Sequence, residues 1–209
     1  MREDGSVKNS SVQDSVKKAA LDLFATQGFA RTSVQQIVEA AGVTKGAMYH
    51  YFRSKDDLLF AIYEQLLTLQ RERLTEIVGR GLQTADTLRE VCVDVIETSI
   101  DFLPEGTVFF RSVHMLSPDR QAEVTRRRRG YNDEFVAIIE RGQREGLYRT
   151  DIPMALLVAH FFSDVHYLSQ WYRPAGPEAK GVVARQITDM FLSSIAVARE
   201  PVAAQDGAR

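Results

Sequence analysis

Residues 44–50, TKGAMYH, place hydroxyl groups, a cation, two small residues and two polar-tipped aromatic rings close together in the chain. Lys45 and Tyr49 can form ion pairs or hydrogen bonds with phosphates and base edges. Gly46 and Ala47 allow close backbone approach, and Ala47 can touch a thymine methyl group. These residue types suit the major groove of DNA, although they also fit a helical segment used only for packing.

Two short helices are predicted to position these side chains. The apolar residues before the segment recur three and four positions apart, as on a helix with one buried face: Val34, Ile37, Val38 and Ala41. Thr32 or Ser33 is placed to cap that helix, and Gly42 is placed to end it. Thr44 is a second cap candidate, so we expect a second helix from Lys45 to about Tyr51.

The spacing of the second helix divides its residues between two faces. Met48 and Phe52 are four positions apart and should point inward. The outward residues are Thr44, Lys45, Gly46, Ala47, Tyr49 and His50. With Thr32 and Ser33 at the start of the preceding helix, they form the predicted DNA-binding set.

A longer pattern surrounds these helices. LDLFATQGF closes the preceding helix, the segment Thr32–Ile37 follows, and EAAGVTKGAMYHYF then leads into RSKDDL at Arg53–Leu58. Across residues 12–60, this order and spacing resembles the N-terminal domain of the TetR family of bacterial transcriptional regulators. The resemblance implies a helix–turn–helix that binds DNA, and it implies a phosphate contact for Lys55.

Composition limits how DNA could be bound. The chain has 209 residues, 44% of them apolar and 26% charged, and a formal net charge of −2. Residues 1–60 hold eight Lys/Arg against seven Asp/Glu, so there is no strong overall positive field. A local patch must supply the charge, and its candidates are Lys17, Lys18, Arg31, Lys45, Arg53 and Lys55.

Other features exclude several classes of protein. Cys92 is the only cysteine, so it cannot form an intramolecular disulfide, and it lies in an apolar helical stripe where a core role is expected. The N-terminus lacks the apolar core of a signal peptide, and the longest apolar run is too short to span a bilayer. We therefore expect a cytoplasmic protein without membrane contact, cofactor or metal.

The sequence predicts an all-α fold of about nine helices. The expected divisions are a flexible N-terminus at 1–11, a three-helix DNA-binding domain at 12–57, a helical ligand-binding and dimerisation domain at 58–200, and a flexible tail at 201–209. A long fourth helix should couple the two domains rigidly, because no Pro/Gly-rich linker separates them.

Helix boundaries can be predicted from capping residues and prolines. The first helix should begin near Val12, and Ser54 and Asp57 should form a capping box for the fourth. Pro104 should end the fifth helix, with a sixth from Thr107 to Leu116, and Asp151 should cap the eighth.

The last two helices carry more apolar surface than one core contact requires. Such helices must be covered on both sides, which predicts a two-fold homodimer formed through them. The family resemblance implies the same interface. A two-fold dimer that binds DNA should recognise a palindromic operator.

A ligand pocket is expected among helices five to eight, which the resemblance implies for release of a repressor by a small effector. Its candidate lining is Phe102, Phe109, Phe110, His114, Phe135, Ile139, Phe162, His166 and Ser169. Each of these can equally be plain core. The run Arg126–Arg129 is predicted to be a solvated, partly paired surface, with binding of an anionic ligand group as the alternative.

The segment QWYRPAGP at Gln170–Pro177 resembles family members that respond to acyl-CoA thioesters. There, an aromatic residue about five positions before the Trp lines the cavity; here that position is His166. A fatty acyl or acyl-CoA effector is therefore the favoured prediction. The alternative is a multidrug- or aromatic-compound-sensing regulator of an efflux or catabolic gene.

Two further classes of function compete with a regulator. An enzyme is disfavoured, because the sequence shows no nucleophile elbow, phosphate-binding glycine loop or catalytic carboxylate pair. A purely structural helical dimer would leave the outward residues at 44–50 without a use.

Overall fold

The computed structural model describes residues 4–173 and 179–197, with side chains from residue 12 onward. Within these ranges the chain forms nine α-helices, which confirms the predicted all-α fold. Their bounds are α1 Asp4–Gln27, α2 Val34–Ala41, α3 Lys45–Tyr51, α4 Lys55–Gly79, α5 Thr84–Asp101, α6 Leu103–Ser112, α7 Pro118–Arg144, α8 Met154–Trp171 and α9 Lys180–Ile195. A 3-10 turn, Val113–Met115, follows α6. The predicted tail at 201–209 and residues 174–177 of the QWYRPAGP segment lie outside the described ranges.

The N-terminal hydrophobic cluster joins α1, α2, α3 and the first half of α4, together with residues of α6 and α7. Ile37, Met48 and Leu58 are fully buried in it, beside Val16 and Phe24. The predicted inward positions therefore pack as one core, because the helical spacing turns them all to the same side.

A second cluster surrounds α5 in the C-terminal part of the chain. Leu88, Cys92 and Ile96 lie at its centre, and Phe135 and Phe161 pack with them from α7 and α8. Cys92 is fully buried, as predicted for a core residue, and this burial raises the pKa of its thiol.

Helix α4 takes part in both clusters. Leu59 and Ile62 belong to the N-terminal cluster, whereas Leu74 and Ile77 belong to the C-terminal one. Its 25 residues span about 37 Å at 1.5 Å per residue. A continuous helix with apolar contacts at each end couples the two clusters mechanically.

Three helix boundaries differ from the predictions. Helix α1 begins at Asp4 rather than near Val12. Helix α6 begins at Leu103, so Pro104 lies in its first turn, where the missing N–H needs no partner. Asp151 does not cap α8, because its carboxylate accepts hydrogen bonds of 2.6 and 2.7 Å from Arg149.

The predicted capping box at Ser54 forms only in part. Ser54 Oγ accepts a 3.0 Å hydrogen bond from the Asp57 N–H, as expected. The Asp57 carboxylate instead pairs with Arg120, 3.0 Å from its Nε, and the Asp56 carboxylate accepts a 3.0 Å hydrogen bond from the Ser117 N–H. The first turn of α4 is thus bonded to the beginning of α7, a contact between distant parts of the chain that local sequence rules do not predict.

None of the described helices combines the length and the apolar character that a bilayer span requires.

Candidate DNA-binding surface and ligand cavity

Local hydrogen bonds fix the two short helices. Ser33 caps α2: its Oγ accepts from the Gln36 N–H at 3.2 Å, and the Gln36 Oε1 accepts from the Ser33 N–H at 2.8 Å. Gly42 adopts a left-handed conformation with φ +67°, which ends the helix. Thr44 Oγ1 then accepts a 3.1 Å hydrogen bond from the Ala47 N–H and starts α3.

Helix α3 presents one face to the core and the other to solvent. Met48 is fully buried, whereas the Tyr49 side chain on the opposite face is 49% exposed. Lys45, Gly46 and His50 are also exposed, together with Thr44, and Ala47 is half-buried beside them. The structure thus leaves five of the six predicted outward residues of this segment exposed, with Ala47 half-buried.

Thr32 and Ser33, the other two predicted DNA-binding residues near this face, differ in exposure. Ser33 is exposed. Thr32 is 2% exposed; its hydroxyl donates to the Gly28 carbonyl at 2.9 Å and accepts from Gln27 Nε2 at 3.2 Å. The Thr32 side chain therefore stabilises the α1–α2 turn, and a DNA contact by this residue stays a prediction.

Lys55 lies at the start of α4, but its ammonium group faces the chain. Nζ donates to the carbonyl oxygens of Phe29 at 2.7 Å and Thr32 at 2.8 Å, and it lies 4.3 Å from the Phe29 ring centroid. Burial lowers the pKa of Lys55, and the neighbouring carboxylate of Asp56 opposes that shift. This lysine holds the α1–α2 turn against α4, and one of its three N–H donors remains for a phosphate.

An inner cavity of about 60 Å³ lies between α4, α5, α6, α7 and α8. Four of the predicted ligand-binding residues line it: Phe110, Phe162, His166 and Ser169. Seven lining polar residues were not in the predicted set, namely Tyr63, Gln70, Ser99, Thr107, Arg128, Tyr131 and Asn132. Helical spacing marks inward positions, but only the packing of the helices shows which of them border a void.

The other five predicted ligand-binding residues lie elsewhere. Phe109, Phe135 and Ile139 are fully buried in the two hydrophobic clusters. Phe102 lines a groove beside α1 and α4, and His114 is exposed on the 3-10 turn. None of these five borders the inner cavity, and a ligand contact by them stays a prediction.

The His166 side chain is held between an aromatic ring and a cation. Its ring centroid lies 4.6 Å from that of Phe110, and its Nε2 lies 3.2 Å from a guanidinium nitrogen of Arg128. Burial, assisted by the Arg128 charge, lowers the pKa of His166 to about 4. The imidazole is therefore neutral near pH 7.

A larger, open cleft of about 1240 Å³ lies between the end of α1, α6 and the end of α8. Its lining includes the basic residues Arg31, Arg111 and Arg173. Leu103 and Thr107, with Ser169, line both this cleft and the inner cavity. A wall one side chain thick therefore separates the two spaces.

Comparison with known families identifies this arrangement. Residues 17–62 match the family model "Bacterial regulatory proteins, tetR family", and residues 81–195 match "Tetracyclin repressor-like, C-terminal domain". The chain belongs to the TetR family. It is a helix–turn–helix transcriptional regulator, and α2 and α3 both lie within the residues that match the first of these models.

Individual TetR relatives and structures agree. The transcriptional repressor KstR2 of Rhodococcus jostii is 28% identical over 180 residues, which cover 85% of this chain and 87% of the relative. The structure of KstR2 from Mycobacterium tuberculosis has a TM-score of 0.80 at 22% identity and covers 89% of this chain and 95% of that one. AibR, solved with isovaleryl coenzyme A and operator DNA, has a TM-score of 0.73 at 22% identity and covers 88% and 98%.

Among the residues that the structure describes, no group of three or more His, Cys, Asp or Glu side chains is arranged to hold an ion.

Proposed function

We propose that this protein is a ligand-responsive repressor that binds a palindromic operator as a homodimer. The observation that carries the proposal is the exposed face of α3, where Tyr49 projects into solvent while Met48, one position earlier, anchors the helix in the core. A helix of seven residues, about 10 Å long, fits within a major groove about 12 Å wide.

The last two helices support the dimer. Five of the exposed large apolar residues outside α3 lie on them: Leu156, Tyr167, Trp171, Val182 and Met190. Helices α8 and α9 pack against each other, and these five exposed side chains remain available for contact with a second copy. A two-fold axis there would repeat the recognition helices, and a palindrome with half-sites about 34–36 Å apart is the matching DNA.

Aromatic contacts connect the cavity to the DNA-binding domain. His166 contacts Phe110 at the cavity, and the neighbouring Phe109 stacks on Tyr63 of α4 with ring centroids 3.6 Å apart. Because Tyr63 and Phe109 belong to the N-terminal cluster, a ligand that moves α6 should also shift α1 and α4, which pack against α6. Such a ligand binds the two arrangements differently, which is the requirement for release of DNA.

The favoured effector is a small apolar molecule with a fatty acyl or acyl-CoA group. AibR, whose fold is similar, was solved with an acyl-coenzyme A and operator DNA together. An aromatic effector is the second candidate, and the rings that line the cavity favour it: Tyr63, Phe110, Tyr131 and Phe162.

Footprinting on DNA upstream of the gene tests the repressor. We expect a protected palindrome whose affinity falls steeply with salt. Tyr49→Ala should weaken operator binding by about 1–3 kcal/mol, because it removes a side chain that contacts base edges or sugar. The control Leu147→Ala changes an exposed apolar residue outside α3 and should leave affinity unchanged. Absence of a protected site, or equal affinities of the Tyr49→Ala and wild-type proteins, would contradict the proposal.

A thermal-shift panel tests the effector. Acyl-CoAs, fatty acids and aromatic compounds should differ in how far they raise the melting temperature, because only a ligand that binds the folded state stabilises it. A compound that raises the melting temperature should also release the operator in a gel-shift assay. Stabilisation without release would contradict the coupling.

A further inference from the structure

The four consecutive arginines on α7 have different surroundings. Arg126 pairs with Glu123, and Arg127 pairs with Glu123 at 2.8 Å and with Glu64 at 2.6 Å. Arg129 is exposed. Arg128 alone of the four lines the inner cavity.

Arg128 has no counter-ion among the residues that the structure describes. Its guanidinium contacts His166 Nε2 at 3.2 Å and lies 5.5 Å from the Phe110 ring centroid. A neutral imidazole and an aromatic face leave its positive charge uncompensated, and no Asp or Glu lines the cavity. A partly desolvated cation in such surroundings attracts an anion more strongly than it would in water.

Two tyrosine side chains accompany this cation. Tyr63 is 4% exposed and Tyr131 is 8% exposed, and both line the cavity. Burial raises the pKa of Tyr63 to about 12, and the Arg128 charge opposes that shift, so the Tyr63 hydroxyl lies near the guanidinium. Neither hydroxyl is among the fully buried unpartnered atoms of the described residues, so each stays accessible and can donate to a ligand. The Asn132 side chain also lines the cavity.

We propose that the inner cavity binds the carboxylate of an amphipathic ligand, with Arg128 as its counter-ion and the Tyr63 hydroxyl as a hydrogen-bond donor. A guanidinium beside an O–H donor matches a carboxylate, which accepts at both oxygens. The regulatory consequence rests on the proposed function, since this carboxylate belongs to the effector.

The size of the cavity limits which part of the ligand it holds. A volume of about 60 Å³ is several times the roughly 10–15 Å³ that one water needs, so the cavity takes a carboxylate and a short stretch of apolar chain. The rest of a longer ligand would extend past Leu103, Thr107 and Ser169 into the outer cleft. A free acid satisfies this arrangement, whereas the acyl end of a thioester carries no anionic group to pair with Arg128.

His166 supplies a spectroscopic readout. The Arg128 charge helps to keep its imidazole neutral, and a bound carboxylate compensates that charge. The other titratable groups that line the cavity are Arg128, Tyr63 and Tyr131. Carboxylate binding should therefore raise the pKa of His166 and shift its ring signals.

The test follows the His166 ring signals by NMR while acetate, which fits the cavity, is titrated at constant ionic strength. We expect a saturable shift with acetate and none with acetamide, its neutral analogue. Octanoate should bind at least tenfold more tightly than acetate, because its chain occupies apolar surface in the outer cleft. Equal responses to acetate and acetamide would overturn the proposal.

Matched variants locate the anion site. Arg128→Gln should weaken acetate and octanoate binding at least tenfold, and Arg128→Lys should restore part of it. Arg129→Gln removes the same charge from the exposed face and should bind both as the wild-type protein does. If Arg128→Gln does not fold, acetate binding by Arg128→Lys and the comparison of acetate with acetamide still test the anion site. Unchanged binding by the folded Gln variant would overturn the proposal.

Operator binding without ligand separates this inference from the proposed function. If octanoate binds through Arg128 but no operator is protected, the repressor proposal fails and the carboxylate site stands. If a neutral ester such as methyl octanoate releases the operator equally from wild type and Arg128→Gln, the repressor stands and the carboxylate site fails.

Discussion

Lys45 and Lys55 lie ten positions apart and use their charges differently. Lys45 is exposed on α3 and has no partner among the described residues, whereas Lys55 bonds two carbonyl oxygens of the α1–α2 turn. Lys55 therefore stabilises the turn that leads into the two short helices of the DNA-binding surface. A phosphate contact predicts that substitution of Lys55 weakens DNA binding. The internal contact predicts that the same substitution also destabilises the fold.

Lys55→Met should lower the free energy of unfolding by about 1–3 kcal/mol, since it removes two charge-assisted hydrogen bonds and leaves their acceptors unpaired. Lys45→Met should change it by less than about 0.5 kcal/mol, as expected for an exposed side chain. Both should weaken operator binding. Urea unfolding and gel-shift titrations measure the two effects, and equal stabilities would contradict the internal role of Lys55.

The lowered pKa of His166 predicts acid sensitivity. A histidine whose pKa is about 4 when folded and about 6.5 when unfolded binds fewer protons in the folded state. Its contribution to stability is therefore complete above about pH 6.5 and is lost as pH falls toward 4. By pH 5 the expected loss is about 2 kcal/mol.

His166→Gln should remove this part of the acid response, and His114→Gln, at an exposed histidine, should retain it. The measurement is urea unfolding at pH 7.5 and pH 5.0, with the wild-type protein compared with each variant. The same pH dependence in wild type and His166→Gln would show that another group causes the loss.

At the scale of the element, α3 combines local stability with close approach to DNA. Gly46 lies in its first turn, and a Cβ there would meet only Thr44 Oγ1, at 3.8 Å. Gly46→Ala should thus stabilise the helix by up to about 1 kcal/mol, because alanine has the higher helix propensity. It should nevertheless weaken operator binding if the backbone at this position approaches the duplex.

Gly42→Ala provides the comparison, because φ +67° at this position strains any L side chain. It should destabilise the fold by about 1 kcal/mol. Thermal unfolding and gel-shift assays on both variants check the pair. Unaltered operator affinity in a stabilised Gly46→Ala protein would argue against close approach at α3.

Local rules predicted the elements that depend on local hydrogen bonds. Both short helices form as expected because Ser33, Gly42 and Thr44 determine their ends within a few residues. Pro104 was misread because a proline can either end a helix or begin one, and only the packing of the following aromatic residues decides.

The candidate site was less predictable than the fold. The sequence marked Phe110 and His166 as inward, but it could not distinguish a cavity wall from a filled core, as at Phe135. The arginine run was the hardest case. Consecutive helical residues point in different directions, so the exposure of Arg129 and the inward turn of Arg128 depend on how α7 sits against α6 and α8.

At the scale of the whole molecule, the proposed dimer should depend on the exposed apolar residues of α8 and α9. Tyr167→Glu and Met190→Glu each place a charge at a side chain that is 64% and 69% exposed, respectively. We expect monomers, because burying an unpaired carboxylate in an interface is unfavourable. Both variants should also bind the operator more weakly, because a monomer contacts only one half-site.

Val78→Glu serves as the control, at a 40% exposed residue on α4. Sedimentation velocity at micromolar concentration distinguishes the states. A dimer that survives both substitutions on α8 and α9 would place the interface elsewhere.

The adjacent rings of α6 have a consequence for how such a regulator can change its specificity. Phe109 is fully buried against Tyr63 in the N-terminal hydrophobic cluster, whereas Phe110 borders the cavity. Random mutagenesis should therefore give opposite phenotypes at neighbouring codons. Changes at Phe110 can alter which inducer is accepted while leaving silencing intact, whereas changes at Phe109 should give constitutive expression of the target genes.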